Sequence, residues 1–268
     1  MPLWYYPTFL QNFWMARHGD FGSYTLGPTW SLAVEEQFYL TLPVIIRYVS
    51  RPRLWWIVGS LIVVAPLLRI LLGESITHGA IAGYVLMPCR ADALGLGILA
   101  ALIKRTPAVL ELVYRLRAYL YVAFGVVAAG LMTLLLSRFE PGGTEGFGVE
   151  YSLLAVFYFL FLMSVLTNRK LEAVLSIRPL RYVGTIAYGL YLLHRPFIVG
   201  FQDFVRWVHP RESGWLSLLA SISGICVATA VAALSWEYLE KPLIKRGHKY
   251  GYCRKTETPA TDDGLSID

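Results

Sequence analysis

Charge is scarce in this chain. Asp, Glu, Lys and Arg together make up 16% of its 268 residues, against about 25% in soluble domains. That deficit, beside 56% hydrophobic and 14% aromatic residues, excludes an ordinary soluble domain and predicts an all-α, polytopic transmembrane helical bundle. Cysteine is scarce too. Cys89, Cys226 and Cys253 form no CxxC spacing, and two of them sit in apolar runs, which excludes a disulfide framework and a zinc site and predicts no bound metal. There is no Lys/Arg stripe interleaved with stacking aromatics, so the net charge of +6 reads as membrane topology and not as a nucleic-acid surface. No repeat of about 20 to 50 residues and no low-complexity linker divides the chain. The expectation is one membrane domain over 1–246 and a polar, disordered tail over 247–268.

What is present is a series of apolar runs. A helix crossing the hydrocarbon core needs about 20 mostly apolar residues, and seven stretches approach that length: 31–50, 54–72, 86–103, 118–137, 150–167, 183–202 and 215–238. The basic residues between them alternate. Arg47, Arg51 and Arg53, then Lys104, Arg105, Arg115 and Arg117, then Arg169, Lys170, Arg178 and Arg181, then the basic residues after Glu240 fall in one set of connections; Arg17, Arg138, Arg206 and Arg211 fall in the other. The positive-inside rule assigns the first set to the cytoplasm, so the first full span enters from outside and the tail is cytoplasmic. A chain entering from outside needs an earlier crossing. Residues 1–14 have no basic n-region or small-residue cleavage site and are too short to span, which predicts an incomplete N-terminal helix in an N-terminally truncated chain.

A charged side chain at the centre of a membrane helix costs about 2.5 to 3.5 kcal/mol on insertion scales, so each one calls for a partner or a role. In TWSLAVEEQFYL, residues 29–40, Ser31, Glu35 and Tyr39 recur every four residues on one helical face, while Glu36 turns about 100° away. Glu35 is expected to face a polar cavity. In MPCRADALGLGILA, residues 87–100, Arg90 and Asp92 stand two apart and so cannot pair across one face, and each needs an outside partner. For Arg90 that partner is either a carboxylate such as Glu35 or a substrate anion; a structural ion pair and a catalytic role both stay open. In IAYGLYLLHRPFIV, residues 186–199, Tyr188, Tyr191 and His194 share a broad face, and Pro196 frees a backbone carbonyl near Leu192. In LSWEYLEKPLIKR, residues 234–246, Glu237 and Lys241 form an i,i+4 pair at an interfacial helix end.

In this order the segments WSLAVEEQFYLTLP, CRADALGLGILA, YVGTIAYGLYLLHRP and LSWEYLEKPLIKRG, preceded by LQNFW at 10–14, resemble the acyltransferase-3 family of integral membrane O-acyltransferases. The resemblance runs from about Thr8 to Arg246. It implies transfer of an acyl group, usually acetyl, from acyl-CoA as donor substrate to a hydroxyl of a carbohydrate or lipid-linked envelope acceptor, with no bound cofactor, at the plasma membrane. It places Glu35, Arg90, Asp92 and His194 in the catalytic set and Trp30, Gln37, Tyr39 and Tyr191 in substrate binding, with Glu35, Arg90 and His194 expected to converge on one water-accessible pocket.

Two departures stand out. The family pattern opens with a basic residue followed about ten positions later by a histidine in the first helix, and this chain has no such segment; His18 and His78 are expected in loops. Ala187 and Gly189 stand where serines are common. An inactive remnant is therefore one alternative, and an export or transport component is another, since intramembrane charges and a broken helix also mark permeation pathways.

Overall fold

The computed structural model describes residues 1–137, 149–209 and 214–249. Cys253, the glycine-rich stretch at 141–148 and the tail from 250 onward lie outside the described residues. Among the described residues there is no strand. The chain divides into two compact units, Met1–Gly184 and Thr185–Asp268.

In the first unit a 3-10 turn (Leu3–Tyr5) precedes α1 (Gln11–His18). Residues 1–14, expected as part of one incomplete helix, thus do not form a single helix. Pro2 and Pro7 restrict the backbone, and Phe9 takes a left-handed φ of 54°, so the run cannot continue as one helix. His18 ends α1 instead of lying in a loop, and Gly19 closes the helix in the left-handed conformation with φ 66°.

Then come α2 (Trp30–Tyr48), α3 (Arg51–Ser75), α4 (Gly79–Val85), a 3-10 turn (Met87–Arg90) and α5 (Ala91–Lys104). The predicted span 86–103 is therefore broken: α4 meets the helix that follows at 68°. The break is what presents Arg90 and Asp92 at the head of α5. The unit continues through α6 (Pro107–Arg115), α7 (Arg117–Ser137), α8 (Val149–Thr167), α9 (Arg169–Leu175) and the start of α10 (Arg178–Val208).

Two apolar clusters mark opposite ends of α5, Leu94 belonging to one and Ala100 and Ile103 to the other. One joins Trp55, Ile103, Leu110, Leu120 and Met163, beside Arg51, Arg53, Lys104, Arg105, Arg115, Arg117, Arg169 and Lys170 in sequence. The other joins Met15, Trp30, Val34, Val85 and Tyr84 and has no such basic fringe. The alternation of charge seen in the sequence thus becomes an asymmetry between the two ends of one unit.

The second unit contains most of α10, then α11 (Trp215–Ser235), a π turn (Trp236–Glu240) and α12 (Lys241–Lys249). Gly224 lets α11 lie against the backbone of α10: a Cβ there would stand 2.7 Å from the Ile198 Cα. Gln202 donates to Ser221 Oγ at 2.9 Å across the same pair.

Among the described residues, four helices are long and apolar enough to cross a membrane, Arg51–Ser75, Arg117–Leu136, Val149–Thr167 and Trp215–Gly247, with a fifth crossing if the bent pair Gly79–Val85 and Met87–Lys104 counts as one. The expected seven are reduced because stretches 31–50 and 183–202, though helical, are too polar by this measure. They are the stretches that hold Glu35, Glu36 and Arg47 and, in the other, His194 and Arg195. The spanning helices turn Leu67, Leu71, Val122, Val126, Leu135 and Tyr158 outward, the pattern of helices that face lipid.

Candidate functional site

The site in the first unit forms at the 3-10 turn between α4 and α5. Pro88 lies early in that turn, and Arg90 is its last residue. The Arg90 guanidinium lies over three aromatic faces, 4.6 Å from the Tyr151 ring centroid and 5.5 Å from those of Trp30 and Tyr84. The rings support one another: Trp30 and Tyr84 are 4.5 Å apart and Tyr84 and Tyr151 5.2 Å. A desolvated cation over an aromatic face gains about 2 kcal/mol or more, and a planar guanidinium stacks where an ammonium cannot. Arg90 makes no ion pair with Glu35. Its Nη1 is buried and meets no acceptor among the described residues, so a charged donor is held in place with one direction unused.

Asp92, the second residue of α5, has a different environment. Arg69 of α3 clasps it with both nitrogens, Nη2 to Oδ2 at 2.6 Å and Nη1 to Oδ1 at 3.1 Å, and the two side chains are 1% and 3% exposed. Ser152 Oγ of α8 donates to Oδ2 at 2.7 Å, and the Ala93 amide donates to Oδ1 at 2.9 Å. Arg69 also donates to the Cys89 carbonyl and to Ser152 Oγ. A carboxylate in the first turn of a helix meets the positive end of the dipole, and a buried pair stands only when its remaining donors and acceptors are satisfied. That condition holds at Asp92, which ties α3, α5 and α8 together two residues after Arg90.

A second polar contact builds the wall. Asn12 of α1, fully buried, exchanges two hydrogen bonds with Gln37 of α2: Asn12 Nδ2 to Gln37 Oε1 at 3.2 Å, and Gln37 Nε2 to Asn12 Oδ1 at 3.0 Å. Gln37 also donates to the Phe9 carbonyl at 2.9 Å, and Asn12 to the Val85 carbonyl at 3.3 Å, at the break after α4. Gln11 donates to the Thr29 carbonyl at 2.9 Å. These amides fix the start of α2, and with it Trp30, against the turn that carries Arg90.

Of the residues expected from sequence, Trp30 is buried in the cage wall, Gln37 is in the amide pair, Glu35 is half-buried, and Tyr39 is exposed. Tyr191 and His194 belong to the second unit. There His194 Nδ1 stands 2.7 Å from the Tyr191 carbonyl. A carbonyl only accepts, so Nδ1 is the donor, and the neutral tautomer compatible with this contact carries its lone pair on Nε2, as a general base needs.

Arg69, Tyr84, Tyr151, Ser152 and Asn12 have no counterpart among the site residues expected from sequence. Arg69 carries a signal, since a lone cation inside the apolar run 54–72 requires a partner. Tyr84 and Tyr151 are two of 17 tyrosines, and nothing local distinguishes them.

The profile of the family described as Acyltransferase domain matches residues 2–237. The chain is 27% identical over 258 residues to O-acetyltransferase OatA of Staphylococcus aureus, covering 90% of this chain and 40% of that protein. To Peptidoglycan O-acetyltransferase OatA of Listeria monocytogenes it is 26% identical over 267 residues, covering 89% of this chain and 39% of that protein. The chain therefore spans about 40% of the length of these relatives. No solved structure matches it.

Proposed function

Since this chain belongs to the acyltransferase-3 family, we propose that it moves an acetyl group from an acyl-CoA to a hydroxyl of an envelope carbohydrate, peptidoglycan being the acceptor class its relatives' names suggest. The observation that carries the reading is Arg90: a buried guanidinium stacked on three aromatic rings, with Nη1 unused. Such a donor, fixed before the reaction, stabilises negative charge that develops on a thioester carbonyl oxygen.

In the proposed step the acceptor hydroxyl oxygen bonds to the acetyl carbonyl carbon and the carbon–sulfur bond breaks. The hydroxyl proton passes to a base and from it to the departing thiolate. His194, with Nδ1 held by the Tyr191 carbonyl and Nε2 free, has the tautomer for that role. Glu35 orients the reacting groups, with Trp30, Gln37, Tyr39 and Tyr191 in substrate contact. Asp92 acts through Arg69 and Ser152 to position Arg90 and does not itself touch substrate. The protein lies in the plasma membrane with its C-terminal tail in the cytoplasm, the side that supplies acyl-CoA.

Membranes containing the full-length protein, incubated with labelled acetyl-CoA and assayed for label in envelope glycan, test this. Arg90→Ala and His194→Gln should each lower transfer by about a hundredfold, the scale of losing an oxyanion donor or a general base. Undiminished transfer in both variants would remove these residues from the chemistry.

A further inference from the structure

A cleft of about 230 Å³ runs between α2, α3 and α5, with Met87 and Ala91, the neighbours of Arg90 in the chain, in its lining. Phe38 and Ile45 line it from α2, Leu54 and Leu61 from α3, and Ala91 and Ile98 from α5. Each pair is seven residues apart, so the lining follows roughly 10 Å of each helix. The buried residues of α2 are all at its head, Trp30, Ala33 and Val34; the half beyond Phe38 buries none. α2 and α3 are joined by the short turn at Val49–Ser50, yet they leave this space between them.

The lining decides what can enter. Its one hydroxyl, Thr41 Oγ1, donates to the Phe38 carbonyl at 3.1 Å and keeps only acceptor capacity, so the side chains of the wall offer a polar guest no further donor. The amide-bearing arm of an acyl-CoA would lose its hydrogen bonds here, at about 1 to 3 kcal/mol per unsatisfied group, whereas a hydrocarbon chain loses nothing. The volume lies below the roughly 300 to 1,000 Å³ of pockets that enclose whole drug-sized ligands, which suits one chain segment. Exposed Arg47, Arg51 and Arg53 stand beside Ile45 and Leu54 at the basic end of the unit.

We propose that this cleft is a binding site for one chain of an anionic phospholipid of the cytoplasmic leaflet, its phosphate held by Arg47, Arg51 and Arg53. Guanidinium forks match phosphate oxygens, and juxtamembrane arginines favour anionic headgroups. The lipid completes the packing of α2 against α3 and α5. The proposal is independent of acyl transfer, because its readout is lipid retention.

The test uses the full chain purified in neutral detergent, with phosphatidylglycerol or phosphatidylcholine added back, bound lipid counted by native mass spectrometry and thermal unfolding followed alongside. Wild type should retain phosphatidylglycerol in preference and unfold at higher temperature with it. The R47Q/R51Q/R53Q variant should lose the preference, about fivefold in affinity for each arginine. Thr41→Trp, an exposed position whose indole plugs the cleft, should lose retention of both lipids while staying folded. Equal retention of the two lipids by wild type, unchanged retention in Thr41→Trp, or displacement of the lipid by acyl-CoA would each overturn the proposal.

Discussion

Arg90 and Asp92 stand two residues apart and solve burial in opposite ways. Asp92 is closed off by Arg69, Ser152 and an amide, while Arg90 is supported by rings and keeps one donor direction unused. Asp92→Asn leaves Arg69 as an uncompensated buried cation, and breaking a buried pair in this way costs about 3 to 5 kcal/mol. A large fall in the unfolding temperature in detergent is expected, with most of it recovered in the Arg69→Met/Asp92→Leu double variant, where no charge remains. At Arg90 the conservative substitution is informative in a different way. Arg90→Lys keeps the charge but cannot stack in plane, so acetyl transfer should fall at least tenfold, with a smaller fall in unfolding temperature than in Asp92→Asn. The amide pair gives a third check: a double-mutant cycle over Asn12→Ala and Gln37→Ala should show a coupling of about 1 kcal/mol.

At the scale of elements, close approach of helices sets tolerance to substitution. A Cβ on Gly79 would meet the Leu72 carbonyl oxygen at 1.8 Å, so Gly79→Ala must push α4 off α3 and displace the turn that carries Arg90. Gly224→Ala meets backbone of α10 at 2.7 Å in the second unit. Both should lower folded yield and unfolding temperature, whereas Gly59→Ala, with open space around it, should raise stability slightly by removing a mid-helix glycine. The bend between α4 and α5 belongs to this scale too. Irregular backbone at membrane depth is tolerated where protein satisfies it, and here Asn12 reaches the Val85 carbonyl and Arg69 the Cys89 carbonyl.

At the scale of the whole molecule, the basic connections and the apolar clusters give the same two ends to the first unit. Single cysteines in a cysteine-free background provide the check. Positions Ser50, Thr106 and Asn168 should resist a membrane-impermeant thiol reagent applied from outside intact cells, and Tyr24, which is exposed, should react. Labelling at Asn168 with protection at Tyr24 would reverse the assigned orientation.

Composition and apolar runs alone determined that the chain is an all-helical membrane protein. The hydrocarbon core admits only backbone that satisfies itself, and helices do so locally. The motif order likewise made Trp30, Glu35, Arg90, Asp92 and His194 legible as candidates, because a charge in a greasy segment is costly enough to be conspicuous. Only the tertiary structure decided which partner each of them has. The clasp of Arg69 on Asp92 and the stacking of Trp30 and Tyr151 on Arg90 join residues 23 to 61 positions apart. Such pairings depend on where helices break and how closely they approach, and no local propensity encodes that.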